Sequence, residues 1–156
     1  PGPHEVPHAH RGLVYAPALE TLWGGDVLAQ GAWKTDADKR TIALPMPNGR
    51  DADAGLVVVA SLSHANQEAL DRLLGGRKVA KMTSIGSSLK LCLVATGEAD
   101  IYPRQGPTMF WDTAAAHAVV LASGARVSVL NEDDSVGPAL KYADESLRNP
   151  WFLVER

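Results

Sequence analysis

The chain has 156 residues, of which 46% are hydrophobic and 21% charged, with a net charge of −3. That is the composition of one globular domain, and it excludes disordered and fibrous classes as well as a nucleic-acid binder recognised by its overall charge. There is no apolar run of about 18 residues and no basic-plus-apolar leader, so the expectation is no transmembrane segment, and the single cysteine, Cys92, fits a reducing cytoplasm.

PGPHEVPHAHRG opens the chain on Pro1 instead of a methionine and reads as the cut edge of a longer gene product. RGLVYAP (11–17) is a short apolar run closed by a proline, a strand signal. ETLWGG and GAWKT read as further strand pieces parted by glycines. Between Thr35 and Gly55, Pro45, Pro47, Asn48 and Gly49 mark a boundary. GLVVVASLSH then carries a continuous β-branched run, the pattern of a strand covered on both faces. SHANQEALDRLLGG predicts an amphipathic helix with Ser63 as N-cap and Gly75 as stop. KVAKMTSIGS reads as strand, then loop. SSLKLCLVATG predicts a buried helix, apolar almost all round and closing at Gly97. EADIYPR is the next strand. A helix opened by Asp112 runs to about Gly124, and ARVSVL and NPWFLV are the last two strands. Strand and helix alternate from Gly55 onward, which predicts an α/β layered sheet.

Several motifs carry chemistry on paper. HEVPH (4–8) has the spacing of a zinc-protease helix, but Pro7 lacks an N–H and pushes Val6 out of helical space, which removes the required turn. HAH places His8 and His10 on one face of a strand, or leaves them as surface histidines near a frayed end. No complete phosphate loop, no G-x-G-x-x-G and no G-x-S-x-G elbow occurs.

IGSSLK still has physical content. Gly86 loosens the backbone, Ser87 and Ser88 begin a helix, and the free N–H groups there suit an anion. Lys90, three residues after Ser87, shares its side; by spacing alone it either snorkels to the surface or meets an anion at the helix mouth, and snorkelling is the default. Arg104 ends the DIYPR strand as a forked donor at a carboxyl edge, or as a solvated arginine. His64, where a strand hands over to a helix, is a ligand contact or loop filler. Asp112 reads as an N-cap at the positive end of its helix. His117 cannot form a dyad with it, since five helical positions turn it by roughly 140°. The alanines of this helix permit very close packing.

Taken in order, GLVYAPALETLW, SLSH, SIGSSLKLCLVATGEADIYPR, FWDTAAAHAVVLASGARV and NPWF resemble the second half of the CysQ-type 3'(2'),5'-bisphosphate nucleotidases. These are Mg2+-dependent, lithium-sensitive phosphatases of the inositol monophosphatase-like superfamily. The resemblance spans about Gly12 to the C-terminus. It implies a layered α/β/α/β sandwich, with residues 1–50 as strands of an N-terminal antiparallel sheet plus linker and 51–156 as the C-terminal α/β lobe. It also implies a Mg2+ ligand at Asp112 and nucleotide contacts at His64, Ser87, Lys90 and Arg104. The activity implied is removal of the 3'-phosphate of adenosine 3',5'-bisphosphate by attack of a magnesium-activated water, giving AMP and phosphate. The setting implied is sulfur metabolism in the cytoplasm, with or without peripheral attachment to the cytoplasmic face of the inner membrane.

The chain departs from the family pattern in one large respect. The metal-binding glutamate and the D-P-x-D-G-T motif of the family's first half are absent, and one carboxylate cannot hold a multi-magnesium cluster. Ala116 where a glycine is common, and SGA for A-G-G, are mild changes. The expectation is therefore a C-terminal portion inactive alone, its N-terminal half missing, with no complete catalytic set. An inositol monophosphatase-like sugar phosphatase and a non-catalytic nucleotide-binding or interaction module are the alternatives. Strands without their neighbours would expose Val14, Tyr15, Leu22 and Trp23 and invite association, including a homodimer.

Overall fold

The computed structural model describes residues 9–60 and 64–156, with backbone alone for 64–66. The HEVPH motif and the Ser63 cap therefore lie outside the described residues.

The chain begins as an antiparallel meander of β1 (Arg11–Ala16), β2 (Thr21–Asp26), β3 (Gly31–Thr35) and β4 (Thr41–Ala43). Because side chains alternate across a strand, Val14, Trp23 and Lys34 share one face by register, and Tyr15, Leu22 and Thr35 share the other. Trp23 is only 4% exposed, with the Lys34 ammonium 6.0 Å above its ring. It is core, not the loose surface expected. Leu13 and Tyr15, on the opposite face, are 62% and 58% exposed.

The proline-rich stretch is firmly tied down. It contains β4 and a short 3-10 turn at Ala52–Ala54. The Met46 N–H bonds the Thr96 carbonyl at 2.8 Å, and Arg50 grips both Asp100 carboxylate oxygens at 2.8 and 2.9 Å. Asp100 also accepts the Val57 N–H at 2.7 Å, so one carboxylate joins the stretch to the next strand.

From there the chain runs β5 (Leu56–Val59), α1 (His64–Leu74), β6 (Val79–Thr83), α2 (Leu89–Thr96), β7 (Ile101–Arg104), β8 (Thr108–Met109), α3 (Phe110–Ala122), β9 (Arg126–Leu130), β10 (Val136–Ala139), β11 (Arg148–Asn149) and β12 (Phe152–Glu155). Six of these strands form a mixed sheet in the order β10-β9-β12-β7-β5-β6, parallel at β5–β6 and β5–β7 and antiparallel elsewhere. β8 and β11 make a separate two-stranded ladder. Pro138 sits in β10, an edge strand, where a missing N–H is tolerated.

α3 packs on β1, β2 and β3 and also on α2 and β9, so it lies between the two sheets. α1 covers the far face of the mixed sheet, where Leu70 and Leu74 meet Val58, Ile101 and Leu153. The result is an α/β protein in alternating layers, as expected. One core joins Trp23 and Ala32 of the meander to Val94, Val119, Val127 and Phe152. Burying a side chain of that size stabilises by about 1.5–3 kcal/mol. The helix seats closely because two glycines face it. A Cβ on Gly12 would lie 2.0 Å from the Ala115 carbonyl oxygen, and one on Gly25 would lie 2.7 Å from the Val119 Cα.

Candidate functional site

A cleft of about 250 Å3 opens where α2, β7 and α3 begin or end together, lined by Ser87, Ser88, Lys90, Arg104, Thr108 and Asp112 over a floor of Tyr102 and Phe152. Ser87, Lys90, Arg104 and Asp112 come from three separate segments of the sequence, and the fold brings all four together.

α2 starts one residue later than the serine pair suggests. Ser87 is left-handed, with φ of 57°, and Ser88 is the N-cap without a side-chain cap bond. Lys90 thus falls in the first helical turn, where its N–H approaches the Ser87 carbonyl at 3.4 Å. The snorkelling expected of Lys90 does not occur. The residue is 8% exposed, and its ammonium lies 5.6 Å from the centroid of the Tyr102 ring, a cation–π distance. Burial first, and the charge of Arg104 second, hold its pKa below the usual lysine value.

Arg104 closes β7 with its Nη2 donating to the Pro107 carbonyl at 3.4 Å. Its Nε is buried and has no hydrogen-bond partner among the described residues. Burial raises the pKa of Tyr102, opposed by the neighbouring Arg104 charge, so the phenol stays neutral beneath the two cations. Two cations and one carboxylate thus share a small concave site. An anion entering it would relieve the repulsion between Lys90 and Arg104 and would face donors already in place.

Asp112 is not the N-cap. α3 begins at Phe110, Met109 is the capping residue in extended conformation, and Asp112 is the third helical residue. Its Oδ2 reaches back to accept the Met109 N–H at 2.8 Å. The early start has a long-range cause. β8 pairs with β11, the Phe110 N–H bonds the Leu147 carbonyl at 2.9 Å, and the Phe110 ring meets Tyr142 edge-on at 5.0 Å. Asp112 remains exposed at the cleft wall.

His117 is 1% exposed and touches the Tyr142 hydroxyl at 2.9 Å, far from any dyad with Asp112. Burial pushes the Tyr142 phenol up to about 12. Cys92 is buried, its thiol likewise pushed up to about 12, which makes it unreactive. His64 is the first residue of α1, and its side chain lies outside the described residues. Thr108 and Thr113 also line the cleft; no local motif marks them, because β8 is two residues long.

Among the described residues no group of three or more His, Cys, Asp or Glu side chains could hold a metal. Mg2+ requires a near-octahedral oxygen shell. Asp112 offers one carboxylate to such a shell, so the described residues do not fit a complete metal centre, and no chemical step is assigned to one. Among the described residues no helix is long and apolar enough to cross a membrane.

The inositol monophosphatase family model matches residues 7–151. The chain belongs to this family. It is 46% identical over 147 residues to the 3'(2'),5'-bisphosphate nucleotidase CysQ of Escherichia coli K12, covering 92% of the chain and 53% of that relative. The corresponding CysQ of Buchnera aphidicola is 43% identical over 118 residues, or 74% of the chain and 41% of the relative. The crystal structure of CysQ from Bacteroides thetaiotaomicron superposes with a TM-score of 0.77 at 35% identity, over 96% of the chain and 58% of that structure. SuhB of Mycobacterium tuberculosis shares the fold at a TM-score of 0.62 and 24% identity, over 93% of the chain and 52% of that structure. The chain thus spans about half the length of the family members it matches.

Proposed function

We propose that this chain is the nucleotide-binding portion of a Mg2+-dependent 3'(2'),5'-bisphosphate nucleotidase, which converts adenosine 3',5'-bisphosphate to AMP and phosphate. One observation carries the reading: Ser87, Lys90, Arg104 and Asp112 line a single cleft. Lys90 and Arg104 hold the phosphate that is not transferred, and the Ser87 hydroxyl donates to it. Arg104 suits this task because its fork meets two phosphate oxygens at once, while Lys90 acts as a point charge. His64 contacts the nucleoside side. Asp112 supplies one ligand to Mg2+, whose remaining ligands come from polypeptide outside this chain. When bound, the metal would neutralise phosphate charge and activate water; the residues of this chain bind and orient the substrate.

Two cations at one cleft favour a substrate with a second phosphate over inositol monophosphate, which carries one. The similarity to CysQ enzymes supports the same substrate class. The decisive measurement uses the purified 156-residue chain with Mg2+. Calorimetric binding of adenosine 3',5'-bisphosphate in preference to inositol phosphate, without phosphate release, is expected. Phosphate release would overturn the incomplete-site reading, and equal binding of the two ligands would overturn the substrate class. A chain that binds the bisphosphate but yields no activity when joined to a family N-terminal half would instead be a binding module.

A further inference from the structure

Behind the cleft, buried polar residues form one hydrogen-bonded series whose direction follows from its donors. Tyr142 donates its hydroxyl proton to Thr113 Oγ1 at 3.1 Å. The 2.9 Å contact between Tyr142 Oη and His117 Nδ1 therefore has the imidazole Nδ1–H as donor. Asn149 Nδ2 donates to the same Thr113 oxygen at 3.0 Å and to the Met109 carbonyl at 2.9 Å. Thr113 passes its own proton to the Phe110 carbonyl at 3.4 Å. Each of these donors is aimed, directly or through the next hydroxyl, at residues 109–113, the first turn of α3. His117, Thr113 and Asn149 are 1%, 2% and 8% exposed, so a bond lost here leaves a buried group unsatisfied.

We infer that Tyr142 and Asn149 are positioning residues for Asp112. Met109 is the joint between them. Its carbonyl is held by Asn149, and its N–H by the Asp112 carboxylate at 2.8 Å. The ladder pairing Met109 with Arg148 and Thr108 with Asn149 holds the same residue from the side. The carboxylate is therefore aimed by the N–H of a residue that segment 142–149 holds through its other peptide, and the Thr113 hydroxyl is the shared acceptor that orients the Asn149 amide. The bearing of this on a cation at Asp112 rests on the function proposed above; the positioning itself rests on geometry.

The test is an amide measurement on the chain without metal or nucleotide, so its failure and that of the proposed function are distinguishable. Tyr142→Phe deletes one oxygen, and Thr113→Val removes the shared acceptor at constant shape. The Met109 amide proton is expected to move toward the position it takes in Asp112→Ala, which removes its acceptor, and to exchange at least about tenfold faster in both variants. Thr113→Ser, which restores the hydroxyl, is expected to return both readings to the parent values. Protection at Val119 and Val120 is expected to stay unchanged. An unmoved Met109 amide, a uniform fall across α3, or loss of the fold in both variants would overturn the inference.

Discussion

The Lys90 ammonium stands over the Tyr102 ring at 5.6 Å from its centroid, in the same cleft as the Arg104 guanidinium. Its charge is held there against burial and against a like charge, both of which lower its pKa. Lys90→Met removes that cost while keeping the stem's volume. The unliganded variant is expected to melt no lower than the parent. Its affinity for adenosine 3',5'-bisphosphate is expected to fall at least tenfold, read by the ligand-induced shift in melting. An undiminished shift would remove Lys90 from the site.

The same shift sets a pH dependence. The folded-state pKa of Lys90 lies below its ordinary value of 10.5, so between the two values the unfolded chain binds more protons. Stability contributed by this group therefore rises as pH climbs through that window and is absent below it. Anion affinity falls over the same window as the ammonium loses its proton. Urea unfolding across the alkaline range is expected to show this slope in the parent and not in Lys90→Met.

Much of the fold was legible in the sequence because its long elements carry strong patterns: LVVV and LKLCLVAT announce a buried strand and a buried helix without tertiary knowledge. What could not be read was decided by distant partners. Asp112 is a better cap than Met109 by local chemistry, yet pairing with residues 147–149 starts the helix three positions earlier. The Lys90 spacing could not show that β7 would place the Tyr102 ring beneath its ammonium and Arg104 in the same cleft. β8, β10 and β11 are too short, or too interrupted by proline, to announce themselves. The four cleft residues were singled out by family likeness more than by spacing; spacing alone favoured the surface for Lys90 and the solvent for Arg104.

The seat of α3 offers a mutation with a sharp expectation. Gly12→Ala places a methyl 2.0 Å from the Ala115 carbonyl oxygen, and backbone cannot yield as a side-chain tip can. Overpacking of this kind costs about 1–3 kcal/mol. Chemical unfolding is expected to show that loss with no backbone penalty added, whereas Gly49→Ala, where a Cβ would meet nothing within 4 Å, carries only the penalty of its left-handed backbone, about 1–2 kcal/mol.

Arg156 closes the far ends of two helices. Its guanidinium donates to the Val94 and Ala95 carbonyls at 2.8 and 3.2 Å and to the Ser123 carbonyl at 3.0 Å. The positive charge also suits the negative helix ends. Arg156→Ala is expected to cost about 1–2 kcal/mol in urea unfolding, and Arg156→Lys to recover only part, because an ammonium cannot span both helices.

The outer face of the meander carries Leu13 and Tyr15 at 62% and 58% exposure. Apolar strand surface of this kind promotes self-association. Sedimentation is expected to show concentration-dependent oligomers of the parent chain and a monomer for the double variant Leu13→Lys with Tyr15→Lys. A parent that stays monomeric at high concentration would count against it.

β12 lies between β7 and β9 although it follows both in sequence. A nascent polypeptide stalled on the ribosome before Phe152 would hold those two neighbours with a gap where their common partner belongs. The sheet can therefore close only once Phe152–Glu155 has been made, and a premature stop just before Phe152 would split it instead of trimming its edge.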